Sequence, residues 1–165
     1  MIALDAPVIP GVSAAGFHIG QFIERDWPGI GIAIVPEPLH GAFGRLSDSV
    51  RYRSDSVDLW VTSSVIQQIG VHGAYRGKLF DQISLGMTID DIERLIGACM
   101  EDNEDKLAIA GVEGLCFDVA WRPYHRVRAL DLRLPEMRLA PITWLFVVQS
   151  QAFVQYRLRI LHPAT

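Results

Sequence analysis

The residues of this 165-residue chain able to do acid, base, nucleophilic or metal chemistry are five histidines, two cysteines and nineteen carboxylates. His18, His40, His72, His125 and His162 are scattered, and no two stand four apart, the spacing that would put two imidazoles on one helix face around a metal. His72, between Val71 and Gly73, and His125, between Tyr124 and Arg126, are candidate bases. Base catalysis needs a matched nucleophile and an orienting carboxylate, and the sequence sets neither beside them, so each reads as a surface or turn residue. Cys99 and Cys116 have no Cys-x-x-Cys spacing and no neighbouring His, and no cation stands close by to favour a thiolate. Cys116, among Leu115, Phe117 and Val119, reads as a buried free thiol, and a disulfide between the two stays open. The run Glu101-Asp102-Asn103-Glu104-Asp105 resembles the start of a calcium loop, but Lys106 stands where that loop needs Gly and no Glu follows at the twelfth position. It reads as a solvated loop that needs no ion. Gly73-Ala74-Tyr75-Arg76-Gly77-Lys78 has one residue too few between its glycines for a phosphate loop, and Leu79 replaces the magnesium-holding hydroxyl. Gly29-Ile30-Gly31 opens a strand instead of closing one, and no Gly-x-Ser-x-Gly elbow occurs. No catalytic residue, cofactor or metal is therefore expected, and the reading turns to action by binding.

Charge supplies the first candidate surface. Net charge is −1 over residues 1–80, −8 over 81–120 and +5 over 121–165, and Asp90, Asp91, Glu93, Glu101, Asp102, Glu104 and Asp105 crowd into sixteen positions. Such a field attracts a basic protein surface and repels nucleic-acid phosphates. These seven carboxylates, with Trp121 and Tyr124 as nearby aromatic anchors, are the expected partner-binding residues. Of the remaining aromatics, Tyr52, Trp60, Trp144 and Tyr156 fall mostly in expected strands; core packing accounts for Trp144.

The elements that must hold these residues are short. Thr88 is placed to cap a helix, with Asp91 in the capping-box position and Asp90, Asp91 and Glu93 at the positive end of its dipole. Ile89, Ile92 and Ile96 form one apolar face, and Gly97 is expected to supply a left-handed stop. The period then falls to two. Lys106–Ala110 and Cys116–Trp121 read as a hairpin around Gly111–Gly114, Val127–Leu134 as a strand with a bulge, Ile142–Val148 as a strand covered on both faces, and Phe153–Ile160 as a half-buried strand with a basic face. Earlier, Ile30–Val35, Val50–Arg53, Val57–Thr62 and Ile66–His72 read as strands. Phe17–Glu24 shares the skeleton of Ile83–Asp90 at an offset of 66 residues, which suggests pseudo-repeats over 13–78 and 79–165. The expected fold is α+β: an antiparallel β-meander sheet with short helices on one face, as two tandem helix-plus-meander repeats within one compact domain over 1–165. A chain of this size buries roughly 70% of the surface its unfolded form exposes, so it needs no staple. Its longest apolar runs, Gly29–Val35 and Ile142–Val148, are far short of the ~20 residues of a membrane span. Met1–Gly11 holds Asp5 and no Lys or Arg, unlike a secretory signal, so cytoplasmic residence is expected, with no membrane partner.

The stretch Tyr75–Phe117 resembles small bacterial immunity proteins, which neutralise toxins delivered by contact-dependent or type VI systems. The resemblance rests on the Gly86-Met87-Thr88 helix entry, Gly97, the acidic Glu101–Asp105 loop and the Gly114-Leu115-Cys116-Phe117 strand, about a quarter of the chain. A Gly-x-Thr helix entry followed by a meander is also similar to the tandem modules of the β-lactamase inhibitor protein and of small outer-membrane assembly lipoproteins, in which a helix packs on one face of an antiparallel sheet. The lipobox cysteine of a lipoprotein is missing. The resemblance implies stoichiometric binding to a cognate protein toxin, such as a nuclease with a basic cleft. Two other classes stand beside it. One is a small enzyme or ligand-binding module with a site between sheet and helices, using His72 or His125 and the Arg157–Arg159 face; the other is an assembly protein that pairs with itself through the meander edge.

Overall fold

A computed structural model describes residues 1–23, 35–41, 44–101, 106–120 and 135–149, with backbone only at 35–41, 44–49 and 101. The strands expected at 127–134 and 153–160, and Asp102, Glu104, Asp105, Trp121, Tyr124 and His125, lie outside these residues.

Among the described residues the dominant element is an eight-stranded antiparallel sheet. Its first half is a meander of β3 (Val35–Gly41), β4 (Gly44–Arg53), β5 (Val57–Thr62) and β6 (Val65–His72), preceded by a two-residue hairpin of β1 (Ser13–Ala14) and β2 (Phe17–His18). The second half runs β7 (Cys99–Glu101), β8 (Leu107–Ile109), β9 (Leu115–Val119) and β10 (Ile142–Val148). Spatial order is β3-β4-β5-β6-β10-β9-β8-β7, so each half proceeds inward and the two meet where the last strand of one pairs with the last strand of the other. Helix α1 (Ile89–Leu95) precedes the second meander, and α2 (Pro135–Arg138) leads into β10. The fold is α+β, with a β-meander and short helices.

Alternation along the strands divides the sheet into two faces. Val57, Leu59 and Val61 of β5, Ile69 and Val71 of β6, Leu145 and Val147 of β10 and Leu115 and Phe117 of β9 are buried in one apolar cluster with Ile89 and Ile92 of α1 and Met137 of α2. The helices thus lie on this face, which forms the main core.

Helix α1 starts as its sequence dictates. The Thr88 hydroxyl accepts from the Asp91 N–H at 3.2 Å, and the Asp91 carboxylate accepts from the Thr88 N–H at 3.0 Å, a reciprocal capping box. Its end departs from expectation. Gly97 does not take the left-handed conformation; the Ile92 carbonyl instead accepts from the N–H of both Ile96 (2.8 Å) and Gly97 (3.3 Å). That doubly used carbonyl satisfies the last turn without a positive φ, and the chain passes directly into β7 two residues later.

Strand β3 is the other departure. Residues 30–34 of the strand expected at Ile30–Val35 lie outside those described; β3 itself holds Pro36 and Pro38, because as an outer strand among the described residues it pairs only with β4, and prolines of one parity can turn their missing donors away from that ladder.

The eight-residue likeness between Phe17–Glu24 and Ile83–Asp90 has a backbone counterpart. Gly20 donates to the Ile66 carbonyl (2.8 Å) while the Gln21 carbonyl accepts from Ile66 N–H (2.9 Å); Gly86 donates to the Ile142 carbonyl (2.8 Å) while the Met87 carbonyl accepts from Ile142 N–H (2.7 Å). Ile66 and Ile142 stand at the starts of the two central strands, and both glycines have positive φ, +80° and +88°, which suits Gly at each bracket.

Candidate functional site: the aromatic and charged face of the sheet

The face opposite the helices is built by the other parity of the same strands. Asp58 and Trp60 come from β5, Gln68, Gly70 and His72 from β6, Trp144, Phe146 and Val148 from β10, Cys116 and Asp118 from β9, and Arg51 and Arg53 from β4. At its centre Gly70 faces Asp58 on one side and Phe146 on the other. A Cβ there would lie 2.9 Å from Trp60 Cζ3 and 3.1 Å from Trp144 Cζ3, so the missing side chain is what lets both indoles converge over the seam between the two meanders. Trp144 and Phe146 lie parallel, 5.4 Å apart at 3°, and Trp60 meets Phe146 edge-on at 5.9 Å. Cations flank this shelf: the Arg51 guanidinium lies 4.7 Å from the Trp60 ring centroid and the Lys106 ammonium 4.7 Å from that of Phe146. Phe146, Cys116 and Val148 are buried, whereas Trp60 and Trp144 are half-buried. Trp144 therefore does not belong to the main core, as its apolar surroundings in sequence implied; it lies in this second cluster.

Beside the shelf is a buried carboxylate. Asp58 is 1% exposed and accepts from Arg51 Nε at 2.8 Å and from Arg51 Nη2; Arg53 Nε lies 3.6 Å away. His72 Nε2 sits 3.1 Å from the other Asp58 oxygen, and its ring stacks on Trp144 at 3.8 Å between centroids. Burial pushes the Asp58 carboxyl up, but the hydrogen bonds from His72 and Arg51 and the Arg51 charge outweigh it and hold the group below its ordinary value of 3.8. The orienting carboxylate that the sequence did not set beside His72 is thus supplied from fourteen residues upstream, across the β5–β6 ladder. The legible signal was the period of Val57-Asp58-Leu59-Trp60-Val61, which puts Asp58 and Trp60 on one side; what Asp58 meets there is nonlocal.

The acidic residues of α1 have partners inside the fold. Asp91 is taken up by the capping box and by Arg94 Nη2 at 2.6 Å; the Thr88 hydrogen bonds and the Arg94 charge hold its carboxyl below the ordinary value. Arg138 of α2 bonds Asp90 through Nε at 2.7 Å and Glu93 through Nη2, and the second Glu93 oxygen accepts from the Cys99 N–H at 3.0 Å. Asp90, Asp91 and Glu93 are therefore brought together with Arg94 and Arg138, on the helix side of the sheet and away from the aromatic shelf. Glu101 lies in β7 at the other end of the sheet from β3. Cys99 and Cys116 are not joined in a disulfide, and they lie on opposite faces: Cys99 packs against the main core, Cys116 in the second cluster. Burial and the neighbouring Glu93 charge push the Cys99 thiol up to about 12. Among the described residues no group of three His, Cys, Asp or Glu side chains is arranged to hold a metal, and no helix is long and apolar enough to cross a membrane.

No protein-family model, curated protein or solved structure matches the chain.

Proposed function

We propose that this chain is an immunity-type binding protein that neutralises a cognate bacterial toxin by covering its active site or substrate cleft, and that the aromatic face of the sheet supplies its anchor. The observation that carries the reading is the pair of half-buried indoles, Trp60 and Trp144, which converge over Gly70 on the buried Phe146 and are flanked by Arg51 and Lys106. Trp and Arg are the side chains whose truncation most often costs an interface 2 kcal/mol or more. A sheet held by a core on its other face presents such groups with little conformational freedom left to lose on binding. The resemblance of Tyr75–Phe117 to immunity proteins supports the same class. Toward a basic toxin cleft, the run Glu101–Asp105 adds complementary charge that speeds association. The two meanders belong to this proposal as the scaffold whose junction, between β6 and β10, carries the shelf.

The test is capture by tagged bait from the source bacterium, with wild type and a W60A/W144A double variant side by side. The expected result is one partner retained by wild type and lost or weakened at least about 30-fold with the double variant, the equivalent of about 2 kcal/mol. Expression of that partner alone should stop growth, and this chain should restore it. A partner that is harmless in cells, or one held equally by both baits, overturns the proposal.

One observation favours a second reading, a small-ligand module or enzyme: the Asp58–His72 pair, with its carboxylate oriented on an imidazole at 3.1 Å. It predicts thermal stabilisation by a small molecule that is lost in H72N, with the fold unchanged.

A further inference from the structure

The two oxygens of the buried Asp58 carboxylate serve different halves of the aromatic face. Oδ2 accepts from Arg51 Nε at 2.8 Å and from Arg51 Nη2, and that guanidinium lies 4.7 Å from the Trp60 ring centroid. Oδ1 lies 3.1 Å from His72 Nε2, and the His72 ring stacks on Trp144 with 3.8 Å between centroids and 30° between planes. Each indole therefore has one planar group resting on its face, and one carboxylate holds both groups. The ladders dictate this arrangement. Arg51 stands directly opposite Trp60, and His72 directly opposite Trp144. Asp58 stands opposite Arg53 on one side and Gly70 on the other, so Arg51 and His72, each two residues away along its own strand, are diagonal neighbours within reach of long side chains. Trp60 belongs to the first meander and Trp144 to β10, so Asp58 acts across the seam through His72. Its carboxyl is held below the ordinary value, so at neutral pH it is ionised and only accepts; the His72 nitrogen facing it carries a proton, which fixes how that ring is turned.

Stability alone does not call for a charge at this place, since a buried ion pair replaced by apolar groups of similar volume is often as stable or more so. Orientation does call for one. An indole on a sheet face turns about two side-chain dihedrals, and a partner that had to fix them would lose affinity in doing so. We propose that Asp58 is a positioning residue for the anchor: through Arg51 and His72 its carboxylate holds the Trp60 and Trp144 rings in one orientation before a partner arrives. This rests on the reading of the aromatic face as a binding surface. Arg51 sets the first indole and His72 the second, and the carboxylate is the point at which one change loosens both.

The experiment reads ring motion in the protein alone, as NMR order parameters of the indole N–H groups of its four tryptophans, with W60F and W144F identifying the two that matter. In wild type both are expected in the range of a rigid N–H, about 0.85, and in D58N both below about 0.6. R51Q is expected to loosen Trp60 and leave Trp144 rigid, and H72N to do the reverse. A loss of stability by itself lowers the melting temperature without dividing the two rings in this way. If D58N does not fold, R51Q and H72N decide the matter between them. With the captured partner, D58N is expected to bind at least about 5-fold more weakly although both tryptophans are present. A folded D58N with both rings as rigid as in wild type overturns the proposal, as does an R51Q or H72N variant whose own indole stays ordered, or a D58N that binds as wild type does. Equal retention of the partner by wild type and W60A/W144A defeats the binding reading instead, and leaves the ring-order result standing.

Discussion

Replacing Asp58 by Ala removes the counter-charge of Arg51 and the partner of His72 at a site where the carboxylate is 1% exposed. Breaking a buried ion pair from one side costs about 3–5 kcal/mol, because the remaining charge is stranded. Arg51 and His72 keep 23% and 17% of their side-chain surface and can regain some water, which sets the expectation at the lower end, about 3 kcal/mol. With a urea slope of roughly 2 kcal/mol per molar, the midpoint falls by about 1.5 M, read from tryptophan fluorescence, since Trp60 and Trp144 adjoin the site. The pH dependence follows from the direction of the shift. The folded pKa of Asp58 lies below its ordinary value of 3.8, so its contribution is fully present above the unfolded pKa and is lost as pH falls through the lower folded value. The difference between wild type and D58A should therefore be constant above about pH 5 and shrink on acidification below it. A midpoint change below about 0.5 M, equivalent to about 1 kcal/mol, refutes the reasoning and puts the cluster among ordinary surface ion pairs.

Two other outcomes are expected. G70A forces the Trp60 and Trp144 rings, 2.9 Å and 3.1 Å from the new Cβ, to move apart, costing about 1–3 kcal/mol and changing the near-ultraviolet dichroism; an unchanged spectrum contradicts the convergence described. Native protein at pH 8 should resist thiol reagents at both cysteines, since the Cys99 thiol is pushed up to about 12 and Cys116 is buried, whereas urea should release two thiols. One fast native equivalent would count against this.

What could be read from the sequence was local. The capping box of Thr88 and Asp91 spans three residues, and the strands at 57–62 and 142–148 follow their own hydrophobic pattern, so each formed as expected. Three features escaped because their causes lie far along the chain. The stop after Leu95 uses the Ile92 carbonyl twice instead of a left-handed Gly97, since the chain turns at once into a strand whose existence depends on β8. Pro36 and Pro38 look like strand breakers until β3 is seen at the outside of the sheet. Trp144 sits in an apolar run that fits a doubly covered strand, and only its register with His72 and Gly70 shows which face it serves.

The same distance effect changes how the charge pattern is to be understood. Residues 81–120 carry a net −8 and residues 121–165 a net +5, which in one dimension suggests an acidic patch awaiting a foreign cation. In the fold, Arg138 from the basic segment closes on Asp90 and Glu93 from the acidic one, 48 and 45 residues away. Part of the charge asymmetry is therefore intramolecular complementarity, directed at fixing α1 and α2 on the sheet. A partner-binding surface is better sought where the fold gathers large side chains without a need of its own for that order. The sheet already has a core on its helix side, built mainly from aliphatic residues with Phe17, Tyr75 and Phe117. Its other face nonetheless carries two tryptophans and a phenylalanine in ordered contact, with a glycine at the point where any side chain would separate them. Under the binding role proposed above, W60A and W144A on this face, more than substitutions on the acidic helix, are therefore the changes expected to cost affinity.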